Sequence, residues 1–176
     1  TGYLEWLMGP PRGLTTPIVI TSLDEATQSI FARNPWNAGF GSQVAFADLA
    51  GRQASSTGDR TEFIGRNGSL ASPAALQGKA ALSGHFGAAL DPCAALQQSV
   101  ELRPGEAVEV VLFLGAGKDA DEARALIQKY RAADLNRALD EVTAFWDGIL
   151  NKVQVKTPDR SMDIMLNRWL LYQTLV

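Results

Sequence analysis

Cysteine and histidine are almost absent from the 176 residues, and each absence excludes a class of protein. Cys93 is the single cysteine, so no disulfide can form within the chain. His85 is the single histidine, which argues against a His-rich zinc site. Cys93, between a proline and an alanine, reads as a small buried filler. We therefore predict no metal site and no disulfide-stapled fold.

Excess positive charge and long apolar runs are also lacking. Lys and Arg number 16 against 19 Asp and Glu, a net charge of -3, so no basic field would attract nucleic acid or an anionic membrane. No apolar run approaches the roughly 20 residues of a membrane span, so we expect no membrane insertion by this segment. The first residues have no basic region typical of a signal peptide, and we expect a piece of a longer protein.

Turn-forming residues are concentrated in the first two thirds of the chain. Up to Leu114 lie 13 of the 16 glycines and 7 of the 8 prolines, which is typical of short strands joined by loops. Strands are predicted in these segments: Thr16–Thr21, Thr27–Arg33, Gln43–Leu49, an alternating run over 96–103, and Glu106–Leu114. The last is apolar on both faces and is predicted to be a covered central strand after a Pro104-Gly105 turn. Two packed antiparallel layers would bury these strands.

From Gly115 onward the spacing predicts three helices. Asp119 would cap the first, with Glu122 three residues later, and the second would begin near Asp134. Thr157 and Pro158 would begin the third as N-cap and first helical residue. The third helix is apolar on nearly every side up to Val176, which predicts burial against neighbours beyond the segment.

Three familiar kinds of site are poorly supported. Gly115 and Gly117 precede a helix as in a dinucleotide site, but the third glycine is absent and Asp119 would repel a pyrophosphate. The imidazole of His85 is expected to bond to backbone in a glycine-flanked loop. Asp140 and Asp147 on the second helix are more simply explained as solvated charges.

Residues 55–68 and Trp36 carry the side chains that suit a sugar. Planar charged groups can bind vicinal hydroxyls, and an aromatic plane can cover the apolar face of a ring. The candidate substrate-binding residues are Asp59, Arg60, Glu62, Phe63, Arg66 and Trp36. The alternative is a structured loop held by its own Arg–Asp and Arg–Glu pairs. No cofactor is predicted.

Five blocks of sequence resemble glycoside hydrolase family 94, formerly glycosyltransferase family 36. They lie in the same order as in the phosphorylase modules of cyclic β-1,2-glucan synthases and span the chain: Glu5–Pro10, Phe31–Asn37, Val44–Asp48, Gly58–Arg66 and Asn167–Thr174. Cellobiose and chitobiose phosphorylases belong to the same family. The resemblance implies a mainly β fold with C-terminal helices, arranged as an antiparallel β super-sandwich, a helical linker and the first helix of a truncated (α/α)6 barrel. The expected boundaries are 1–115, 116–157 and 158–176.

The resemblance also implies the chemistry of the longer protein. That chemistry is inverting phosphorolysis of a β-glucosidic bond, with inorganic phosphate as co-substrate and every catalytic residue in the barrel outside this chain. The implied partners are a β-glucan oligosaccharide, the rest of the barrel and a second copy in a homodimer. The implied location is the cytoplasmic side of a bacterial inner membrane, within a larger membrane protein whose present segment is itself soluble. The alternative is an autonomous carbohydrate-binding or dimerisation module.

Overall fold

The structure is a computed structural model that describes residues 1–78 and 80–175, with the side chain of Leu175 left out. The chain divides into two compact units. The first is Thr1–Arg131, and the second begins at Ala132. Each unit is described by itself. The predicted boundaries at 115/116 and 157/158 remain predictions.

The first unit is built from two antiparallel sheets. Its strands are β1 (Gly2–Glu5), β2 (Ile20–Leu23), β3 (Ile30–Arg33), β4 (Val44–Asp48), β5 (Ser55–Asp59), β6 (Pro92–Gln97) and β7 (Phe113–Gly117). One sheet has the order β1-β6-β5 and the other the order β2-β3-β4-β7. Short helices α1 (Arg12–Thr15) and α2 (Arg60–Ile64) and a 3-10 turn (Ala74–Leu76) connect the strands. The predicted fold class, mainly antiparallel β with C-terminal helices, is confirmed.

A common apolar core joins the two sheets. Ile30 from β3 and Leu96 from β6 are fully buried in one cluster with Trp6, Val19 and Leu49. Burying side chains of this size stabilises a fold by about 1.5–3 kcal/mol each. Alternate residues of β3 and β4 face this core, and their burial packs one sheet on the other.

The outer face of the four-stranded sheet is covered by α3 (Ala120–Arg131). Phe31 and Phe46 from the sheet pack against Ile127 of α3 in a second cluster. The predicted cap is confirmed, since the Asp119 carboxylate accepts from the backbone N–H of Glu122 at 2.8 Å. Acidic residues in the first turn also complement the positive end of the helix.

The predicted strands around the Pro104-Gly105 turn are wrong. The turn itself is present, but residues 98–112 contain no strand, and β7 is confined to Phe113–Gly117. Val108 and Val110 are exposed and not covered. Apolar composition indicated burial here, but a strand also needs a partner for its backbone, and residues 98–112 find none in the described part of the chain.

The second unit consists of helices. Helix α4 (Leu135–Leu150) begins near Asp134 as predicted, and Asp134 is its N-cap, since its carboxylate accepts from the backbone N–H groups of Asn136 and Arg137 at 3.1 Å. It is followed by α5 (Arg160–Ile164), a π-helical turn (Met165–Trp169) and α6 (Leu170–Leu175). No described helix is both long and apolar enough to cross a membrane.

The third predicted helix differs from the prediction in its start. Asp159 is the N-cap, because its carboxylate accepts from Ser161 N–H, while the Thr157 hydroxyl donates to Asp163. No described side chain of α5, the π-helical turn or α6 is buried. Its aromatic side chains contact one another instead, with Trp169 and Tyr172 at 6.4 Å between ring centroids.

Candidate saccharide-binding site

The segment Asp59–Arg66 begins at the last residue of β5 and includes α2, and Asp59 is the N-cap of that helix. The Asp59 carboxylate accepts from Thr61 N–H at 2.8 Å and lies 3.2 Å from Nδ1 of His85. Gly58, in β5, lets this strand approach β2 closely, since a Cβ at this position would lie 2.3 Å from Oγ1 of Thr21. Asp59 is therefore committed to local structure.

Arg60 belongs to a network of four charges. Its Nε donates to Glu5 at 2.8 Å, and its Nη1 lies 3.5 Å from Asp91. Arg12 also binds both Glu5 and Asp91, which closes the network. Burial alone would raise the pKa of Glu5, but hydrogen bonds from Tyr3 and Arg60 and the charges of both arginines lower that pKa below its usual value. These contacts tie β1, α1, α2 and the start of β6 together.

Glu62 fixes a neighbouring loop. Its carboxylate accepts from Thr57 Oγ1 at 2.5 Å, from Ser83 N–H at 2.7 Å and from Ser83 Oγ at 2.9 Å. The anchored segment, residues 82–87, runs along the edges of both sheets. Its backbone pairs with β5 through Gly58 N–H to His85 O at 2.8 Å, and with β2 through Thr21 N–H to Gly87 O at 3.0 Å.

Phe63 and Arg66 differ sharply in exposure. Phe63 is 2% exposed and stacks on Tyr3 with 4.7 Å between ring centroids, so both residues contribute to the core beside β6. The side chain of Arg66 is exposed. Asp59, Arg60 and Glu62 make structural contacts, but the acidic partners of Arg60 are Glu5 and Asp91, outside residues 55–68. The Arg–Asp and Arg–Glu pairs within the loop that we stated as the alternative are therefore not formed among the described residues, and sugar binding by these residues stays a prediction.

Trp36 lies in a different loop, between β3 and β4. Asn34, which is buried, accepts from Trp36 N–H at 3.1 Å and donates from Nδ2 to Met8 O at 2.9 Å. Asn37 Oδ1 then accepts from the backbone N–H groups of Gly39 and Phe40, each at 3.0 Å. Asparagine favours such turns because its side chain imitates a backbone carbonyl. This Trp36 loop, residues 34–43, is therefore preformed.

A cavity of about 380 Å³ opens beside the Trp36 loop. It is lined by Met8, Gly9, Pro10, Asn34, Asn37, Phe40 and Gln43. Phe40 is 59% exposed and Trp36, next to the lining in sequence, is 79% exposed. In the described part of the chain neither the Asn37 NH₂ group nor the Gln43 side chain makes a hydrogen bond.

Phe40 and Gln43 were not among the binding residues predicted from the sequence. The available signal was Phe40 itself, a large apolar residue in a glycine-rich loop between two predicted strands. The contribution of Met8 had no such signal, because it depends on a contact across 26 residues of sequence. Among the described residues, no group of three or more His, Cys, Asp or Glu side chains could hold a metal ion.

The first unit is a two-sheet sandwich with exposed aromatic and amide groups on one loop, side chains that suit contact with a sugar. Comparison with known families agrees. Residues 1–133 match the supersandwich domain of glycosyl hydrolase family 94, and residues 145–176 match the catalytic domain of the same superfamily. The chain belongs to glycosyl hydrolase family 94.

Curated relatives have the same character. The chain is 36% identical over 174 residues to the cyclic beta-(1,2)-glucan synthase NdvB of Rhizobium meliloti (strain 1021), which covers 99% of this chain and 6% of that protein. It is 34% identical over 118 residues to the N,N'-diacetylchitobiose phosphorylase of Vibrio proteolyticus, or 66% of this chain and 14% of the relative. A 3-O-beta-D-glucopyranosyl-beta-D-glucuronide phosphorylase of Paenibacillus borealis is 32% identical over 111 residues, 63% of this chain and 14% of its own length. The chain thus spans a small part of each relative.

Proposed function

We propose that this chain is the sandwich and the opening of the catalytic domain in a family 94 protein that acts on β-1,2-glucan. The observation that carries the proposal is the order of the two family matches, together with an alignment to the glucan synthase that covers nearly all of this chain. The proposed reaction is phosphorolysis with inversion, in which phosphate attacks the anomeric carbon as the leaving oxygen is protonated from the opposite side.

The residues of this chain take no acid–base or phosphate-binding role in the proposal. Asp59, Arg60 and Glu62 are occupied by the helix cap, the four-charge network and the loop at Ser83. We propose that the general acid and the phosphate pocket belong to the remainder of the catalytic domain. Inorganic phosphate is the proposed co-substrate.

The proposed partners and location follow the same reasoning. A β-glucan oligosaccharide would be bound by the longer protein, which would place this segment on the cytoplasmic side of a bacterial inner membrane. A homodimer is the proposed assembly. The resemblance to a cyclic beta-(1,2)-glucan synthase of Rhizobium meliloti supports the glucan.

The test is an assay on the full-length protein. Phosphate-dependent release of α-glucose 1-phosphate from β-1,2-glucan is expected, since inversion at a β-linked carbon gives the α product. The 176-residue chain alone, assayed in parallel, is expected to release none. A full-length protein that is folded but leaves β-1,2-glucan intact in phosphate would overturn the proposal, as would sustained turnover by the purified chain.

A further inference from the structure

We propose that the cavity beside the Trp36 loop binds a β-linked glucose unit, with Phe40 and Trp36 as its apolar contacts and the amides of Asn37 and Gln43 as its polar contacts. The substrate class rests on the proposed function. The site itself rests on the geometry of the loop.

Two aromatic side chains of the Trp36 loop are exposed. Trp36 and Phe40 are 79% and 59% exposed, although large aromatic residues are normally buried. Both lie on one short loop, so their side chains are available to a ligand at the cavity. The pyranose ring of a β-linked glucose carries equatorial hydroxyls and leaves a flat C–H face, which an aromatic plane can cover.

Side-chain amides that line the cavity have hydrogen-bonding groups that the described residues do not use. Asn34 uses both ends of its amide within the protein, since its oxygen accepts from Trp36 N–H and its nitrogen donates to Met8 O. Asn37 is committed only through its oxygen, which leaves two N–H donors on Nδ2, and the Gln43 amide has both donors and its oxygen available among the described contacts. Neutral amides match sugar hydroxyls, which both donate and accept.

The loop is held by its own contacts before any ligand arrives. A Cβ on Gly41 would lie 2.8 Å from Asn37 O, so the loop closes tightly on itself. Asn34 donates to Met8 O and accepts from Trp36 N–H, and Asn37 accepts from Gly39 and Phe40, so these four hydrogen bonds also hold the loop. Preorganisation of this kind reduces the entropy lost on binding. The cavity, about 380 Å³, lies within the usual range for small-ligand sites.

The experiment titrates the 176-residue chain with sophorose, the β-1,2-linked glucose disaccharide, and follows the Trp36 indole N–H and the Asn37 and Gln43 side-chain amides by NMR. Sophorose should shift these signals. Trp36→Ala and Phe40→Ala should each weaken binding about ten-fold, and Gln43→Ala several-fold. Sorbitol, which offers hydroxyls without a ring face, should shift none of them.

Leu70→Ala is the matched control, because Leu70 is 62% exposed and lies outside the cavity. Its affinity for sophorose should equal that of the unchanged chain, and a thermal melt should show every variant folded. A second readout uses the full-length protein, where Trp36→Ala and Phe40→Ala should raise KM for short β-1,2-glucans.

Three outcomes overturn the inference. They are a folded chain that does not bind sophorose, binding that survives both aromatic substitutions, and equal shifts with sorbitol. The proposed function fails separately, when the full-length protein leaves β-1,2-glucan intact in phosphate whether or not the cavity binds sophorose.

Discussion

Arg131 grips both carboxylate oxygens of Asp48 across 83 residues of sequence. Its Nε donates to Oδ2 at 2.9 Å and its Nη2 to Oδ1 at 2.7 Å, and the same Nη2 donates to Thr27 O at 2.6 Å. Asp48 ends β4 and is fully buried, while Arg131 is the last residue of α3. A bidentate pair of this kind fixes the end of the helix on the sheet.

Arg131→Met should therefore destabilise the chain strongly. Removing the arginine leaves a buried carboxylate without its cation, which costs about 3 kcal/mol, the low end of the usual range because Arg131 is itself a quarter exposed. Urea unfolding measures the loss. Arg137→Ala is the control, because its pair with Glu141 lies on an exposed helix face and should be worth less than about 0.5 kcal/mol. Equal losses for both variants would contradict the buried-pair argument.

Acid should unfold the chain through three carboxylates. Burial alone would raise the pKa values of Glu5, Asp24 and Asp48, but their hydrogen bonds and neighbouring arginines lower each pKa below its ordinary value. Protons then bind the unfolded chain more readily than the folded one. The stability that these groups contribute is complete above their unfolded pKa values, about 4–4.5, and is lost as pH falls through the lower folded values.

Thermal melts between pH 7 and pH 2.5 check this expectation. Tm should stay nearly constant down to pH 5 and fall steeply below pH 4. Asp48→Asn should melt lower at pH 7 but lose less on further acidification, because one of the three carboxylates is gone. A Tm independent of pH across this range would show that the ion pairs contribute little.

Two glycines should respond to alanine with opposite signs. A Cβ on Gly117 would lie 2.5 Å from the backbone nitrogen of Ala123 and 2.9 Å from Asp119 O, so Gly117→Ala should destabilise by about 1–3 kcal/mol. Gly148 lies inside α4 with open space around it, so Gly148→Ala should stabilise the helix by about 0.5–1 kcal/mol. Far-UV circular dichroism during unfolding measures both. A neutral Gly117→Ala would mean that the helix start tolerates displacement.

Arg60→Ala and Glu62→Ala should lower Tm and leave saccharide kinetics of the full-length protein unchanged at permissive temperature. Each removes contacts that join separate elements, Glu5 with Asp91 in the first case and Thr57 with Ser83 in the second. Arg66→Ala, on the same segment but exposed, should change the free energy of unfolding by less than about 0.5 kcal/mol. An unchanged Tm with kcat/KM reduced ten-fold or more would instead assign Arg60 and Glu62 to sugar binding.

Local signals were read from the sequence more reliably than distant ones. Asp119 was identified as a helix cap and the second helix was started near Asp134, because a helix start depends on residues two or three positions away. The third helix start was misplaced by two residues, since Thr157 and Asp159 both suit the N-cap and only the contact of Thr157 with Asp163 separates them. Boundaries are decided by such small differences.

The site was harder to predict because its parts come together only in the fold. Arg60 and Glu62 have the composition of a sugar site, but their partners Glu5 and Ser83 are 55 and 21 residues away in sequence and could not be inferred. The contribution of Met8 to the cavity depends on its contact with Asn34, 26 residues away in sequence. The strand predicted around Val108 was wrong for a related reason. Its apolar neighbours indicated a covered strand but gave no information about a pairing partner.

The segment at residues 82–87 also determines how this sandwich can meet other chains. By bonding to Gly58 of β5 and Thr21 of β2, it occupies backbone groups that two sheet edges would otherwise offer to a foreign strand. Both covered edges lie at the same end of their sheets, opposite β1 and β7. Strand addition at the β5 and β2 edges is therefore disfavoured. Glu62 contributes to this protection, because it holds Ser83 and so keeps the segment in place.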